Sequence, residues 1–222
     1  MSGSTKDVAH SSLLGSGRMR TEHEQRAEVL IEAAKLAASG QLMEGEALLI
    51  ARWPRRVGER AKRTIKDRDR LNAFLSDGFR CRYTQERLFF TPLFEAMSVL
   101  WDQTFPTHPN WKTEDTHDAY WSHTASLDHV EPIAVGGKEV EENWVTTSAA
   151  RNMVRSRFPL ESLDWTLQPR AEKGDWDGGV RVFLALMAKH REKLETTEKR
   201  KYLMKWERIA KRALRELKER RQ

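Results

Sequence analysis

The stretch Ser126-Leu127-Asp128-His129-Val130-Glu131-Pro132-Ile133-Ala134-Val135-Gly136-Gly137-Lys138, with Asn143 and Asn152 behind it, decides the reading of this 222-residue chain. Asp128 and His129 close a short apolar run. Pro132 and the Gly136-Gly137 pair then force a loop, because proline fixes φ and glycine opens backbone conformations closed to other residues. Asn143 precedes a strand-like run, Trp144-Val145-Thr146-Thr147, and the segment from Ser148 to Arg157 can form a helix. The implied order is strand, loop, strand, helix.

Neighbouring residues of a strand point to opposite faces. If Asp128 faces a helix carrying Asn152, the two can share one cation through oxygen ligands. Such a donor set suits a hard or intermediate divalent ion, with water completing the shell. His129 then points away from the pair, where it can take a proton from a water molecule attacking a phosphodiester. Imidazole is the side chain whose charge changes nearest neutral pH, which suits a general base. Asn143 can bond backbone groups through both ends of its amide, pinning the loop and orienting His129.

This constellation resembles the HNH, or ββα-metal, nuclease family: Asp128-His129, Asn143 and Asn152, with Gly136-Gly137 in the loop. The resemblance covers roughly residues 70–160. It implies an α+β fold, a ββα-metal nuclease core with mainly helical N- and C-terminal extensions. It also implies His129 as general base, Asp128 and Asn152 as metal ligands, and Asn143 as the structural asparagine. The ion expected is one Mg2+, with Mn2+ or Ni2+ as alternatives. The last position, often His in the family, is the Asn variant here. Asp77 to Thr84 resembles the family's lead-in, where a Cys-x-x-Cys pair frequently begins a structural zinc site. Here Cys81 is the chain's single cysteine and Thr84 holds the second place, so a four-cysteine zinc knuckle is excluded by count and no structural zinc is expected. Apolar packing from Phe89, Phe90, Leu93, Phe94, Met97, Leu100 and Trp101 is expected to replace it.

The chain carries 39 Lys and Arg against 33 Asp and Glu, a net charge of +6 that favours a polyanionic partner. No run of 18 apolar residues predicts a membrane span, and no signal-like segment is evident, so no membrane partner is expected. One cysteine excludes an intrachain disulfide and fits a reducing compartment; the cytoplasm is the expected location.

The chain divides into a flexible, Ser- and Gly-rich tail (1–21), a helical hairpin (22–56), a nuclease-type domain with a basic lead-in helix (57–177) and a basic helical extension (178–222). The hairpin pairs Glu22–Ala38 with Leu42–Trp53, ended by Pro54. From Arg52 to Arg82 there are eleven Lys and Arg against four Asp and Glu. A helix over Glu59–Leu75 places Arg63, Lys66 and Arg70 on one face, either solvated or in contact with phosphates. A short hairpin is expected over Phe79–Leu88, and a helix from Pro92 to Trp101. Arg151 and Arg157, beside Asn152, are further candidates for flanking phosphates. Arg155, three residues past Asn152, is a candidate to hold a phosphate or stabilise transition-state charge. From Arg181 onward fifteen Lys and Arg face six Glu, and a basic helical arm on nucleic acid is the preferred account, with solvent exposure or a coiled-coil dimer as alternatives.

The function expected is hydrolysis of phosphodiester bonds in double-stranded DNA. The alternatives are a catalytically silent nucleic-acid-binding module, and a nuclease subunit active only within a larger assembly; the partners expected besides DNA are a second copy of the chain or such an assembly.

Overall fold

The computed structural model describes residues 13–54, 65–170 and 176–219, with side chains described from residue 24 onward. The first two helices, α1 (Leu13–Ala38) and α2 (Leu42–Arg52), form the expected hairpin around a turn at Gly40. α1 starts nine residues before the expected Glu22, so the expected tail is helical from Leu13; residues 1–12 lie outside the described residues.

The lead-in helix α3 (Asp67–Ser76) is shorter than expected. Lys66 is its extended N-cap residue, with ψ 147°, and stands before the helix rather than on its face. Residues 55–64, Arg63 among them, lie outside the described residues. The hairpin after α3 reduces to one bridge, Arg80 to Arg87, extended by Cys81 N–H to Glu86 O (2.9 Å) and Leu88 N–H to Phe79 O (2.8 Å). Helix α4 (Thr91–Leu100) follows with Pro92 in its first turn, where the missing N–H costs nothing. A single helical turn, α5 (Ala119–Ser122), leads into the sheet.

Strands β1 (Ala125–His129) and β2 (Trp144–Ser148) pair antiparallel, from Ala125 opposite Ser148 to His129 opposite Trp144. Helix α6 (Ala149–Arg155) starts at once, its N-cap Ser148 Oγ accepting from Arg151 N–H. Three helices close the fold: α7 (Val180–Lys189), α8 (Arg191–Glu195) and α9 (Arg200–Glu219). The architecture is α+β, helices around one two-stranded sheet among the described residues.

One core crosses the expected boundary at 177–178. Phe74, Phe79, Phe90 and Phe94 are buried together with Phe183, Met187, Leu203, Trp206 and Ala210. The Phe90 ring meets Phe183 and Trp206 edge-on, each at 5.4 Å between centroids. The C-terminal helices therefore build the same core as the α3–α6 region. α9 is no free arm: its Leu203, Ala210 and Ala213 have no exposure. A large side chain buried this way contributes about 1.5–3 kcal/mol, and removing α9 would uncover several at once.

The turn that the sequence assigns to apolar packing is also held by a buried charge pair. Asp77, 2% exposed, accepts from Arg82 Nη1 at 3.0 Å and from the Thr146 N–H of β2 at 2.9 Å. Arg82 Nε donates to Gln168 O, and the Arg82 N–H to Thr146 O. Cys81 Sγ lies 3.4 Å from Thr147 Oγ1. The turn is thus tied to β2 and to the segment after α6 by polar bonds. Removing one member of a buried pair leaves the other charge uncompensated, so Asp77→Ala should lose about 3–5 kcal/mol in urea unfolding. A zinc chelator should leave the unfolding midpoint of the unaltered chain unmoved; a chelator-dependent shift would contradict this account.

Candidate functional site

The strand alternation places Ser126 and Asp128 on the side of β1 that meets α6. Asn152 Nδ2 donates to Ser126 Oγ (2.8 Å) and to Leu127 O (3.0 Å). A carbonyl can only accept, so the nitrogen of this amide must face the strand. Its oxygen is left as an acceptor without a hydrogen-bond partner among the described residues.

Asp128 is 5% exposed and accepts three hydrogen bonds. Oδ2 receives Tyr83 OH at 2.7 Å and Arg155 Nη1 at 2.8 Å; Oδ1 receives the His129 N–H at 2.7 Å. Burial, and then the neighbouring carboxylate, push the Tyr83 phenol far above its ordinary range, so it stays protonated and acts as a donor. Oδ1 retains a second lone pair.

Arg155 overturns its expected role as a phosphate ligand. The side chain has no exposure, and its guanidinium bonds Asp128, the His129 carbonyl and, at 2.6 Å, the Val130 carbonyl. Its Nε is buried with no partner among the described residues. A guanidinium with no exposure, held through Nη1 and Nη2 behind the strand, cannot reach a phosphate. It locks the end of α6 to the turn that follows β1.

Asn143 closes the loop through both ends of its amide. Its Oδ1 accepts from Glu131 N–H (2.8 Å), and Nδ2 donates to Glu131 O (2.9 Å) and Lys138 O (2.8 Å). The Gly136-Gly137 pair serves two different needs. Gly136 has φ +106°, and a Cβ on Gly137 would sit 1.9 Å from the Glu131 carbonyl oxygen.

His129 is 7% exposed, and its Nε2 lies 2.8 Å from Glu139 Oε1. The same carboxylate oxygen accepts from Trp144 Nε1 at 2.9 Å, while Glu139 Oε2 is buried without a partner among the described residues. An ionised carboxylate can only accept, so Nε2 carries the proton and Nδ1 is the ring nitrogen free to take one. Sequence reading missed Glu139. The one available signal is its place, two residues beyond Gly137, on a loop that must fold back over the end of β1.

Asp128, His129 and Asn152 line a single cleft of about 520 Å³, with Arg70 of α3 and Tyr202, Lys205 and Trp206 of α9. Of the expected phosphate ligands among the described residues, only Arg70 lines it. Lys66 is exposed beside it, and Arg151 bonds Glu86 at 3.2 Å with its guanidinium over the Trp165 ring. Arg157 is exposed on a separate groove beside the α1–α2 hairpin. His108, His117 and His123 make local bonds within their own turns.

Comparison with known proteins returns nothing. No family model matches the chain, and neither the curated proteins nor the solved structures yield a match.

The donor chemistry fits one hard divalent ion at Asp128 and Asn152: a carboxylate oxygen with a spare lone pair, and an amide oxygen with no other partner. Among the described residues no cluster of three or more His, Cys, Asp and Glu is placed to hold a metal, so such an ion would be completed by water. Arg155, sharing the same carboxylate, limits the negative charge available to it.

The two presumed ligands should separate in stability measurements. Asp128→Ala strands the buried Arg155 charge and should cost about 3–5 kcal/mol. Asn152→Ala loses two hydrogen bonds and should cost only about 1–3 kcal/mol. Urea titration of both variants checks this, and equal losses would contradict the central place given to Arg155.

Proposed function

We propose that this chain is a divalent-metal-dependent endonuclease of the ββα-metal type, hydrolysing phosphodiester bonds in DNA. The observation that carries the reading is the strand–loop–strand–helix unit that brings Asp128, His129 and Asn152 to one cleft, with Asn143 bonding the intervening loop at Glu131 and Lys138. The resemblance supplies the same residues in the same roles.

A bound divalent ion would polarise the phosphate and stabilise charge on the departing 3′ oxygen. His129 Nδ1 takes a proton from water as the water oxygen attacks phosphorus. The bond from phosphorus to the 3′ oxygen breaks, and that oxygen is protonated from solvent. Glu139 fixes the ring and its tautomer from behind, and Asn143 holds the loop that carries Glu139. Arg70 and Lys205, which line the cleft and share Asp67, are the cations that would contact the phosphate backbone.

The silent nucleic-acid-binding module is the second reading. The observation that favours it is the bond from Arg155 to Asp128, which already places a positive charge against the presumed metal ligand.

Cleavage of supercoiled plasmid, linear duplex and single strands in separate Mg2+, Mn2+, Ni2+ and Zn2+ decides between the two. Metal-dependent cutting is expected, reduced about 10²–10⁴-fold in His129→Ala. Glu139→Gln, which keeps the acceptor oxygen, should lose less than Glu139→Ala. Equal cleavage by the unaltered chain and His129→Ala would overturn the assignment, and absence of both cutting and metal binding would favour the silent module.

A further inference from the structure

The outer face of α9 carries a line of five cations that passes the cleft at Lys205. Lys201, Lys205, Arg208, Arg212 and Arg215 follow one another at four- and three-residue intervals and are all exposed. At 3.6 residues per turn they fall within an arc of roughly 80°. Leu203, Trp206, Ala210 and Ala213 lie on the opposite side and are buried in the core. The stripe is therefore fixed in direction by packing and cannot rotate away.

Lys205 forms an ion pair with Asp67 and also lines the cleft, so it joins the stripe to the site. Arg212 pairs with Glu216. Lys201, Arg208 and Arg215, seven residues apart along the helix, have no ion-pair partner among the described residues. Glu207, the acidic residue in the middle of α9, is turned inward to Arg191 and Lys211, 4% exposed. Glu216, one turn beyond Arg212, is the carboxylate at the edge of the line, and the exposed Glu219 closes it. Three exposed cations of one helix face without an ion-pair partner among the described residues favour a polyanion outside the chain.

We propose that this face of α9 is a track for the sugar–phosphate backbone of duplex DNA, continuous with the cleft at Asp128 and His129. Lys201 to Arg215 spans roughly 21 Å of helix. One strand of B-DNA presents a phosphate about every 3.4 Å along the axis but winds around it, so a straight track of this length faces only part of that run, within reach of its five cations. Duplex is favoured over single strands because single-strand sites interleave cations with stacking aromatic rings. Along the stripe Tyr202 is the one exposed ring, and it stands at the cleft edge. The proposal rests on the nuclease reading only for the nature of the substrate, and its test needs no cleavage.

The test is binding of a fluorescent 20-base-pair duplex in EDTA across a salt series, using His129→Ala as the parent protein. Lys201→Gln, Arg208→Gln and Arg215→Gln together remove three phosphate contacts. The plot of log K against log salt concentration should flatten by about 2–3, at about 0.9 per contact. Affinity near 100 mM salt should fall at least tenfold. A matched triple, Arg181→Gln, Lys189→Gln and Lys193→Gln, changes the net charge equally on other helices and should move the slope by less than one. Circular dichroism should report unchanged helicity in both triples, since all six side chains are exposed. An unchanged slope in the α9 triple, an equal change in the control triple, or tighter binding to a single strand than to duplex would each overturn the proposal. If plasmid cleavage fails while the slope change holds, the nuclease reading falls and the DNA track stands.

Discussion

The guanidinium of Arg155 is the contact on which the site's geometry depends. It has no exposure, and it joins the last turn of α6 to the Asp128 carboxylate and to the carbonyls of His129 and Val130. A charge so deeply buried is tolerated because it is paired and its Nη1 and Nη2 also donate to carbonyls. Those bonds set where the chain leaves β1. They therefore set where the Asn143-tied loop begins and where Glu139 meets His129. The Tyr83 hydroxyl completes the arrangement from the lead-in turn, reaching the same carboxylate oxygen.

The stabilisation around that contact comes from two sources. Buried polar bonds hold the turn at Asp77 and Arg82 to β2. The aromatic cluster around Phe90 draws α4, α7 and α9 into one core. A small two-stranded sheet is not stable alone in water; here α3 and α6 pack against both of its strands. The same packing that stabilises the sheet puts the basic side of α9 at the mouth of the cleft.

Much of this was legible in the sequence. The proline, the glycine pair and the two asparagines read correctly as strand, loop, strand, helix, because each acts locally: fixed φ, permitted positive φ, close backbone approach and amide bonding. The amide of Asn143 makes the backbone bonds that its chemistry implies. What the sequence did not disclose depends on burial. Arg155 reads as a surface residue one turn from Asn152, because an arginine in a short basic helix gives no sign that it will point inward. Glu139 reads as one of several acids on a loop, because its bond to His129 exists only after the loop closes. The C-terminal helices read as an arm because their charge is visible in the sequence, whereas the fit of Leu203, Trp206 and Ala210 against Phe90 and Phe183 is a property of the folded core.

The central claim is that Asp128 and Asn152 present a cation site beside His129 even though Arg155 holds one oxygen of the Asp128 carboxylate. Diffraction from crystals soaked in Mn2+ tests it most directly, through the anomalous signal of the ion. The account requires a peak against Asp128 Oδ1 and Asn152 Oδ1, absent in Asn152→Ala crystals, with the Arg155 bond to Oδ2 retained. No peak at that position in a fully soaked crystal, or a peak that survives Asn152→Ala unchanged, would contradict it.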